Sequence, residues 1–205
     1  MSRRTAFGVL VGAVIVQRLA ELRTSRRHEA ALVARGATVH ARGQLPAAAA
    51  LHTAWLASSL AEGTRRLRRP ADGRFVALGL GGLAVGHALR LASMRALGER
   101  WTASVVTVPG AARVRTGIFQ HLRHPNYLGV AVEVAALPLV AGAWRTAAVF
   151  SGLNALFLRA RIRAEDHALD IAEAATGARP YSSESSASGS PSPSHSASMS
   201  PVTVL

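Results

Sequence analysis

The sequence contains no cysteine and no lysine, and it has few aromatic residues. Without cysteine, the 205-residue chain has neither a disulfide framework nor a thiolate metal site. Aromatic residues make up 5% of a chain that is 49% hydrophobic, so its apolar content is mostly Ala, Leu and Val. All 24 basic residues are arginine, against 11 acidic residues. The resulting charge of +13 is compatible with nucleic acid, with an anionic membrane surface, or with a genome that favours arginine codons.

Five apolar segments help to decide between these partners. A helix needs about 20 mostly apolar residues to cross a bilayer. Most of the segments carry a polar residue, which is common in multi-pass bundles when that residue faces a cavity. The alternative is a soluble bundle with unusually apolar core helices. We predict an all-α, multi-pass transmembrane bundle in the cell membrane, and its segments are Thr5–Leu22, Pro46–Leu60, Phe75–Leu97, Tyr127–Ala143 and Ala147–Leu158.

Arginine placement indicates an orientation for this bundle. If the last two segments form a helical hairpin with both outer ends in the cytoplasm, 15 arginines lie on the inner side and 8 on the outer side. This distribution follows the positive-inside tendency of membrane proteins, whereas the run RRLRR at residues 65–69 opposes it. The count favours a cytoplasmic location for the end of the bundle that holds Arg123 and Arg163.

The chain changes character after Pro180. The following residues are rich in Ser and Pro and contain almost nothing that could be buried. Such a composition is typical of disordered segments because it cannot form a packed core. We therefore predict one membrane-embedded domain over residues 1–180 and a disordered tail over residues 181–205.

The stretch RHPNY at residues 123–127 combines hydrogen-bond donors with a helix start. Pro125 suits the first turn of a helix, where its missing N–H is not needed. Arg123 and His124 would then lie beside the unpaired N–H groups and the positive end of the helix dipole, where an anion is stabilised. The alternative is an interfacial turn whose arginine extends to the lipid head groups and whose Tyr127 belongs to an aromatic belt. These residues alone favour neither interpretation.

A second charged stretch, RARIRAEDHAL, occupies residues 159–169. On a helix, Arg161 and Glu165 lie four residues apart on one face, and Arg163 and Asp166 lie three apart. One interpretation is a pair of surface ion pairs, which contribute little to stability. In the other, this cluster and RHPNY close the same end of the hairpin and face one ligand that carries both an anion and a cation.

Two further patterns do not indicate a ligand. His121 and His124 have the spacing of metal ligands, but Pro125 interrupts the helix and no third ligand is close in sequence, so we predict no metal site. The glycine-rich stretch GLGGLAVG lacks the G-x-G-x-x-G pattern of nucleotide-binding loops. Gly82 and Gly86 instead predict close packing of two helices.

Together the charged stretches carry a resemblance to a known family. The order TGIFQHLRHPNYLGV, VEVAALPL and LNALFLRARIRAEDHAL resembles the C-terminal signature of the isoprenylcysteine carboxyl methyltransferase family, over about Gly98 to Leu169. The preceding LGERWTASVVTVPG is similar to a bacterial branch that is associated with type III polyketide synthases and contains alkylpyrone O-methyltransferases. Phe119 stands where tyrosine is common, and Asp166 replaces the usual second glutamate. Both changes are conservative.

The resemblance implies a membrane methyltransferase that uses S-adenosylmethionine, with the cofactor site on the C-terminal hairpin. This cofactor carries a carboxylate, an ammonium and a sulfonium group. Arg123 and His124 suit the carboxylate, whereas Glu165 and Asp166 suit the ammonium group or the ribose hydroxyls. Tyr127 offers a ring for the adenine or the sulfonium. The predicted cofactor-binding residues are Arg123, His124, Tyr127, Arg161, Glu165 and Asp166.

Methyl transfer from a sulfonium to oxygen is an in-line displacement that depends on alignment and exclusion of water. A carboxylate or the acidic enol of a pyrone is already anionic near neutral pH, whereas a phenol would be helped by a base. Glu133, inside the fourth segment, is a candidate base, and its alternative role is a polar contact between helices. The predicted catalytic residues are Glu133 and His124.

Three functions remain open at this point. The first is a SAM-dependent O-methyltransferase acting on a lipidic acceptor, either of alkylpyrone or polyketide type or a carboxylate, with a functional link to a type III polyketide synthase. The second is an enzyme of the same fold that resembles phospholipid N-methyltransferases or membrane reductases. The third is a non-catalytic membrane protein with a degenerate site. The arginine runs lack interleaved aromatic residues, so we predict a lipid bilayer and a lipidic small molecule as partners and no nucleic acid.

Overall fold

A short polar residue or a proline lies at the start of three of the helices. The side chain of Ser2 accepts a hydrogen bond from the backbone N–H of Thr5, as an N-cap residue does. Asp72 accepts one in the same way from Arg74 at the start of a later helix. Pro125 occupies the first turn of its helix, where the sequence placed it.

The computed structural model of the protein describes residues 1–68 and 72–175. Within them lie five α-helices and one two-stranded antiparallel sheet. The predicted tail at residues 181–205 lies outside the described residues. In chain order the elements are α1 (Arg3–Ala34), β1 (Thr38–His40), α2 (Gln44–Arg66), α3 (Gly73–Leu97), β2 (Val105–Thr107), α4 (Pro125–Val140) and α5 (Trp144–Ala175).

The helices confirm the predicted helical bundle, with two corrections. Each predicted apolar segment falls within a helix or its immediate end, but α1 and α5 continue well beyond their apolar parts. The all-α prediction missed the sheet, in which Val39 pairs with Val106. Two stretches, Arg3–Ala34 and Gly73–Arg100, are long and apolar enough to cross a membrane, whereas the apolar α4 is shorter.

Successive helices run in opposite directions, so the bundle has two distinct ends. At one end, Phe7 near the start of α1 packs on Gly63 near the end of α2. At the other end, His28 in α1 contacts the backbone carbonyl of Trp101, which follows α3. We call the end with Phe7 and Gly63 the opposite end, and the end with His28 and Trp101 the site end. The apolar core between them is formed mainly by Phe7, Val11, Trp55, Val134 and Leu137.

Glycines let α3 and α4 approach closely. A Cβ atom on Gly82 would lie 2.8 Å from the Cβ of Ala136, and one on Gly86 would lie 2.6 Å from the Cγ of Glu133. No side chain fits in that space without displacing α4. The predicted packing role of Gly82 and Gly86 is therefore confirmed, and it fixes the position of α4 and of the residues at its start.

Candidate functional site

A cavity of about 490 Å³ opens at the site end of the bundle. Its walls come from the start of α4, the second half of α5, β2 and the segment between β2 and α4. This volume is within the range that holds a small-molecule cofactor. Its polar and charged lining residues include Arg113, Arg115, Arg123, His124, Asn126, Tyr127, Glu165 and Asp166.

The start of α4 forms the basic wall of this cavity. Pro125 is buried in the first turn, with His124 at the N-cap position before it and Tyr127 two residues after it. Their rings stack with centroids 5.7 Å apart and an angle of 23° between planes. The side chain of Arg123 is 64% exposed and lies next to them at the rim. The RHPNY stretch is thus part of a cavity wall, not only an interfacial turn.

Tyr127 connects the two predicted charged stretches. Its hydroxyl donates a hydrogen bond to Glu165 Oε2 and accepts one from Arg161 Nε at 3.0 Å. The guanidinium group of Arg161 also lies 5.6 Å from the centre of the Tyr127 ring and donates to the carbonyl of Ala103. Arg161 is buried and supports Tyr127 from outside the cavity lining. The two predicted clusters therefore meet, and Glu165 contacts α4 across the hairpin.

Asp166 contacts basic residues from two other parts of the chain. Its Oδ1 lies 3.4 Å from His124 Nε2, 3.6 Å from Arg123 Nη2 and 3.8 Å from Arg113 Nη1. We call Arg113, Arg123, His124 and Asp166 the mouth cluster. Its distances are longer than those of well-formed charge-assisted hydrogen bonds, which are about 2.7–2.9 Å. Within the cluster, opposite charges therefore lie near one another without direct hydrogen bonds.

Several polar atoms of the cavity wall form no hydrogen bond within the described residues. They are Trp101 Nε1, Arg113 Nε, His124 Nε2, Asn126 Oδ1 and Asp166 Oδ1, and all five are shielded from solvent. Arg113 Nε, His124 Nε2 and Asp166 Oδ1 lie within 4 Å of oppositely charged groups without forming a hydrogen bond. Buried polar atoms nearly always have partners in native structures. Five atoms of mixed donor and acceptor character without hydrogen bonds around one cavity therefore indicate a place for a polar ligand.

Arg113 is a cavity residue that the sequence did not single out. Its Nη2 lies 2.5 Å from Asp170 Oδ1, and its Nε lies 2.9 Å from Glu173 Oε1. These contacts tie the segment between β2 and α4 to the acidic face of α5. The spacing of Asp166, Asp170 and Glu173 on one helical face was a usable signal, because residues three and four apart are neighbours. The sequence does not indicate which arginine these three carboxylates contact.

Glu133 lies away from this cavity, in a second charged group. Its Oε2 accepts hydrogen bonds from Arg18 and, at 3.0 Å, from Arg90 Nη1. Both of those guanidinium groups also donate to Glu21 Oε2. We call Arg18, Glu21, Arg90 and Glu133 the charged quartet. It links α1, α3 and α4 inside the bundle, where Arg90 is 4% exposed and Glu133 is 5% exposed.

A smaller cavity of about 250 Å³ lies beside the charged quartet. Glu133, His87 and Gln17 provide its polar wall, and Glu133 Oε1 lies 3.9 Å from His87 Nδ1. The remaining lining residues are mostly apolar, namely Leu10, Ala13, Val14, Trp55, Leu83 and Ala84. Six residues separate Tyr127 from Glu133 on α4, which corresponds to about 9 Å along the helix axis. The predicted catalytic Glu133 and the predicted cofactor residues thus face different cavities.

Comparison with known proteins gives the family of the chain. The model of the isoprenylcysteine carboxyl methyltransferase (ICMT) family matches residues 77–171. An uncharacterized Bacillus subtilis protein, YpbQ, is 32% identical over 164 residues, which cover 80% of this chain and 96% of that protein. An uncharacterized Haemophilus influenzae protein is 27% identical over 162 residues, covering 78% of this chain and 93% of that protein. No solved structure matches significantly. The chain belongs to the isoprenylcysteine carboxyl methyltransferase family of membrane-associated methyltransferases.

Proposed function

We propose that the protein is a multi-pass membrane O-methyltransferase that uses S-adenosylmethionine and acts on a lipidic acceptor. The observation that carries this proposal is the composition of the larger cavity. A basic wall at the start of α4 faces an acidic face of α5, with unpaired polar atoms between them. A ligand that carries both an anionic and a cationic group matches that pattern, and S-adenosylmethionine is such a ligand.

The cavity residues fit this cofactor in charge as well as in size. Arg123 and His124 would hold its carboxylate, because both lie where the N–H groups at the start of α4 favour an anion. Glu165 and Asp166 would hold its ammonium group or its ribose hydroxyls. Asn126 adds an unpaired carbonyl oxygen on the same wall. When bound, the cofactor supplies a methyl group activated by a sulfonium.

Tyr127 and Arg161 would act mainly by orienting this wall. The Tyr127 hydroxyl is already used by Glu165 and Arg161, so the part of its ring that His124 and Arg161 leave uncovered is what remains for ligand contact. A ring face is suited to an adenine or a cationic sulfonium. Because Arg161 is buried behind this ring, its contribution would be positional. This arrangement also excludes water from one side of the cavity, as methyl transfer requires.

The lipidic acceptor would bind nearer to the smaller cavity. Its mostly apolar lining suits a hydrocarbon chain, and its polar wall ends at Glu133. For Glu133 to act as a base, the acceptor oxygen has to lie between the two cavities. An alkylpyrone enol or a carboxylate needs no base, so with those acceptors Glu133 would serve only to hold the helices. His124 borders the larger cavity and is the other candidate catalytic residue.

Cofactor binding is the first test of the proposal. The full chain, purified in detergent, is titrated by calorimetry with S-adenosylmethionine and, separately, with NADPH. We expect saturable heat with S-adenosylmethionine alone. Binding of NADPH instead would assign the protein to the reductase-like alternative, and heat with neither ligand would support a degenerate site. Either result overturns the proposal.

Product analysis is the second test, and it identifies the acceptor class. Membranes containing the protein are incubated with methyl-labelled S-adenosylmethionine and either an alkylpyrone or a long-chain carboxylic acid. Label in a base-stable ether indicates a pyrone acceptor, and label released by mild base indicates a methyl ester. Label found in phospholipid amines would contradict O-methylation. A pyrone product would also support the proposed link to a type III polyketide synthase.

A further inference from the structure

The opposite end of the bundle is strongly basic, although it lies far from the proposed cofactor cavity. Among the described residues, this end holds seven arginines and two carboxylates, Glu62 and Asp72. Six of the arginines are exposed and Arg66 is half-buried. The arginines are Arg3, Arg4, Arg65, Arg66, Arg68, Arg74 and Arg145.

Both carboxylates at this end already accept hydrogen bonds from residues at the starts of helices. Glu62 Oε2 accepts hydrogen bonds from the backbone N–H and the hydroxyl of Thr146, each at 2.8 Å. Asp72 Oδ1 accepts one from the backbone N–H of Arg74 at 2.9 Å. One arginine, Arg66, also contacts Glu62, at 3.4 Å. The positive charge at this end is therefore far from neutralised by its own carboxylates.

Trp144 is an exposed aromatic residue of this basic end, next to two of its arginines. Its side chain is 50% exposed, whereas Trp55 and Trp101 are 1% and 4% exposed. The guanidinium carbons of Arg66 and Arg145 lie 5.9 Å and 5.4 Å from the centre of its ring. Stacking on a ring uses the face of a guanidinium group and leaves its N–H donors along the edge. Those donors have the geometry that binds phosphate oxygens.

We propose that Trp144, Arg66 and Arg145 form a binding site for the head group of an anionic phospholipid. A tryptophan at a helix end is typical of the membrane interface, and adjacent arginines attract anionic lipids. The site rests on the proposed membrane embedding but is independent of methyl transfer. It also gives a role to Arg66, which belongs to the run of arginines that opposes the positive-inside tendency.

Fluorescence quenching can test this site in the full chain. The protein is reconstituted in nanodiscs of mixed phosphatidylglycerol and phosphatidylcholine, with bromine on the acyl chains of one lipid at a time. The contribution of Trp144 is the difference between the wild type and Trp144→Phe. We expect brominated phosphatidylglycerol to quench this contribution more than brominated phosphatidylcholine does, because the anionic lipid is enriched next to the ring.

Two matched double variants make the test specific. Arg66→Gln/Arg145→Gln removes two charges at the opposite end, and Arg26→Gln/Arg27→Gln removes two exposed charges near the site end. Each arginine near an anionic surface contributes about 1 kcal/mol, so we expect the first variant to lose on the order of tenfold or more of its lipid preference. The second variant should keep it. Equal quenching by the two lipids in the wild type, or equal losses in both variants, would overturn the proposal. Incorporation of the protein into the nanodiscs is measured separately. A protein that is not incorporated contradicts the proposed membrane embedding, whereas one that is incorporated but does not prefer phosphatidylglycerol contradicts only the lipid site.

Discussion

The charged quartet and the mouth cluster both contact α4, but they differ in how closely their own charged groups approach one another. In the quartet, two guanidinium groups and two carboxylates share hydrogen bonds within the bundle. In the mouth cluster, one carboxylate faces three basic side chains at 3.4–3.8 Å, and His124 Nε2 and Asp166 Oδ1 remain without hydrogen bonds. The first pattern is that of a structural connection. The second is the looser arrangement that the proposed cofactor site requires.

The largest effect should come from breaking the quartet. Arg90→Met leaves Glu21 and Glu133 with one guanidinium between them, and an uncompensated buried charge typically costs about 3–5 kcal/mol. We expect the free energy of unfolding in mixed micelles to fall by that amount. The charge-balanced double variant Arg90→Met/Glu133→Met removes one charge of each sign and should recover most of the loss. If Arg90→Met alone were as stable as the wild type, the quartet would not hold the helices together.

A smaller effect, on binding and not on folding, is expected at Glu165. Glu165→Gln keeps an oxygen that can accept from the Tyr127 hydroxyl but removes the charge that would pair with the ammonium group. Losing a charge-assisted hydrogen bond costs about 1.5–3 kcal/mol, which raises the dissociation constant for S-adenosylmethionine roughly ten- to a hundred-fold.

Calorimetric titration of S-adenosylmethionine measures the effect at Glu165, provided that the melting profile is unchanged. Glu29→Gln is a suitable control, since Glu29 lies on α1 near the site end and is not among the residues that line the larger cavity. A shift within about twofold for Glu165→Gln would mean that this carboxylate serves only to hold Tyr127.

The smallest of these effects is expected at the rim of the cavity. Arg123 is mostly exposed, so solvent screens its attraction for a carboxylate. We expect Arg123→Ala to weaken S-adenosylmethionine binding by about tenfold and to leave stability unchanged. Arg163→Ala removes the same charge from an exposed position on α5 that does not line the cavity. Comparable weakening in both variants would mean that Arg123 acts through the overall positive charge at this end of the bundle and not through direct contact with the cofactor.

The helices and the larger cavity could be predicted because their signals are local. Apolar runs mark each helix, Pro125 marks the start of α4, and charged residues at helical spacing mark the face of α5 that lines the larger cavity. The sheet could not be predicted, because three-residue strands such as Val105–Thr107 carry too short a pattern. The partners of Asp166 also depend on which segments meet in space.

The charged quartet shows the same limit more clearly. Arg18 and Glu133 are 115 residues apart, and their contact depends on how α1 packs against α4. From the sequence, Glu133 alone was equally acceptable as a base or as a polar contact between helices. The structure adds the three charged residues that form the quartet with Glu133. Each of them interrupts a predicted apolar segment, but the sequence does not indicate that they meet Glu133. A test of catalysis at Glu133 therefore has to separate activity from stability.

The length of α5 has a consequence for the order in which ligands bind. A helix of 32 residues is about 48 Å long, whereas the hydrocarbon core of a bilayer is about 30 Å thick. If Trp144 lies at one boundary of the membrane, Glu165, 21 positions later on α5, lies about 32 Å away along the helix axis, at the other boundary on the site end. Under the proposed function, a polar cofactor would then exchange directly with the aqueous phase, while an acceptor with a hydrocarbon chain would arrive by lateral diffusion. With separate entrances, neither ligand would have to leave before the other could enter, and we expect steady-state kinetics of a random sequential order.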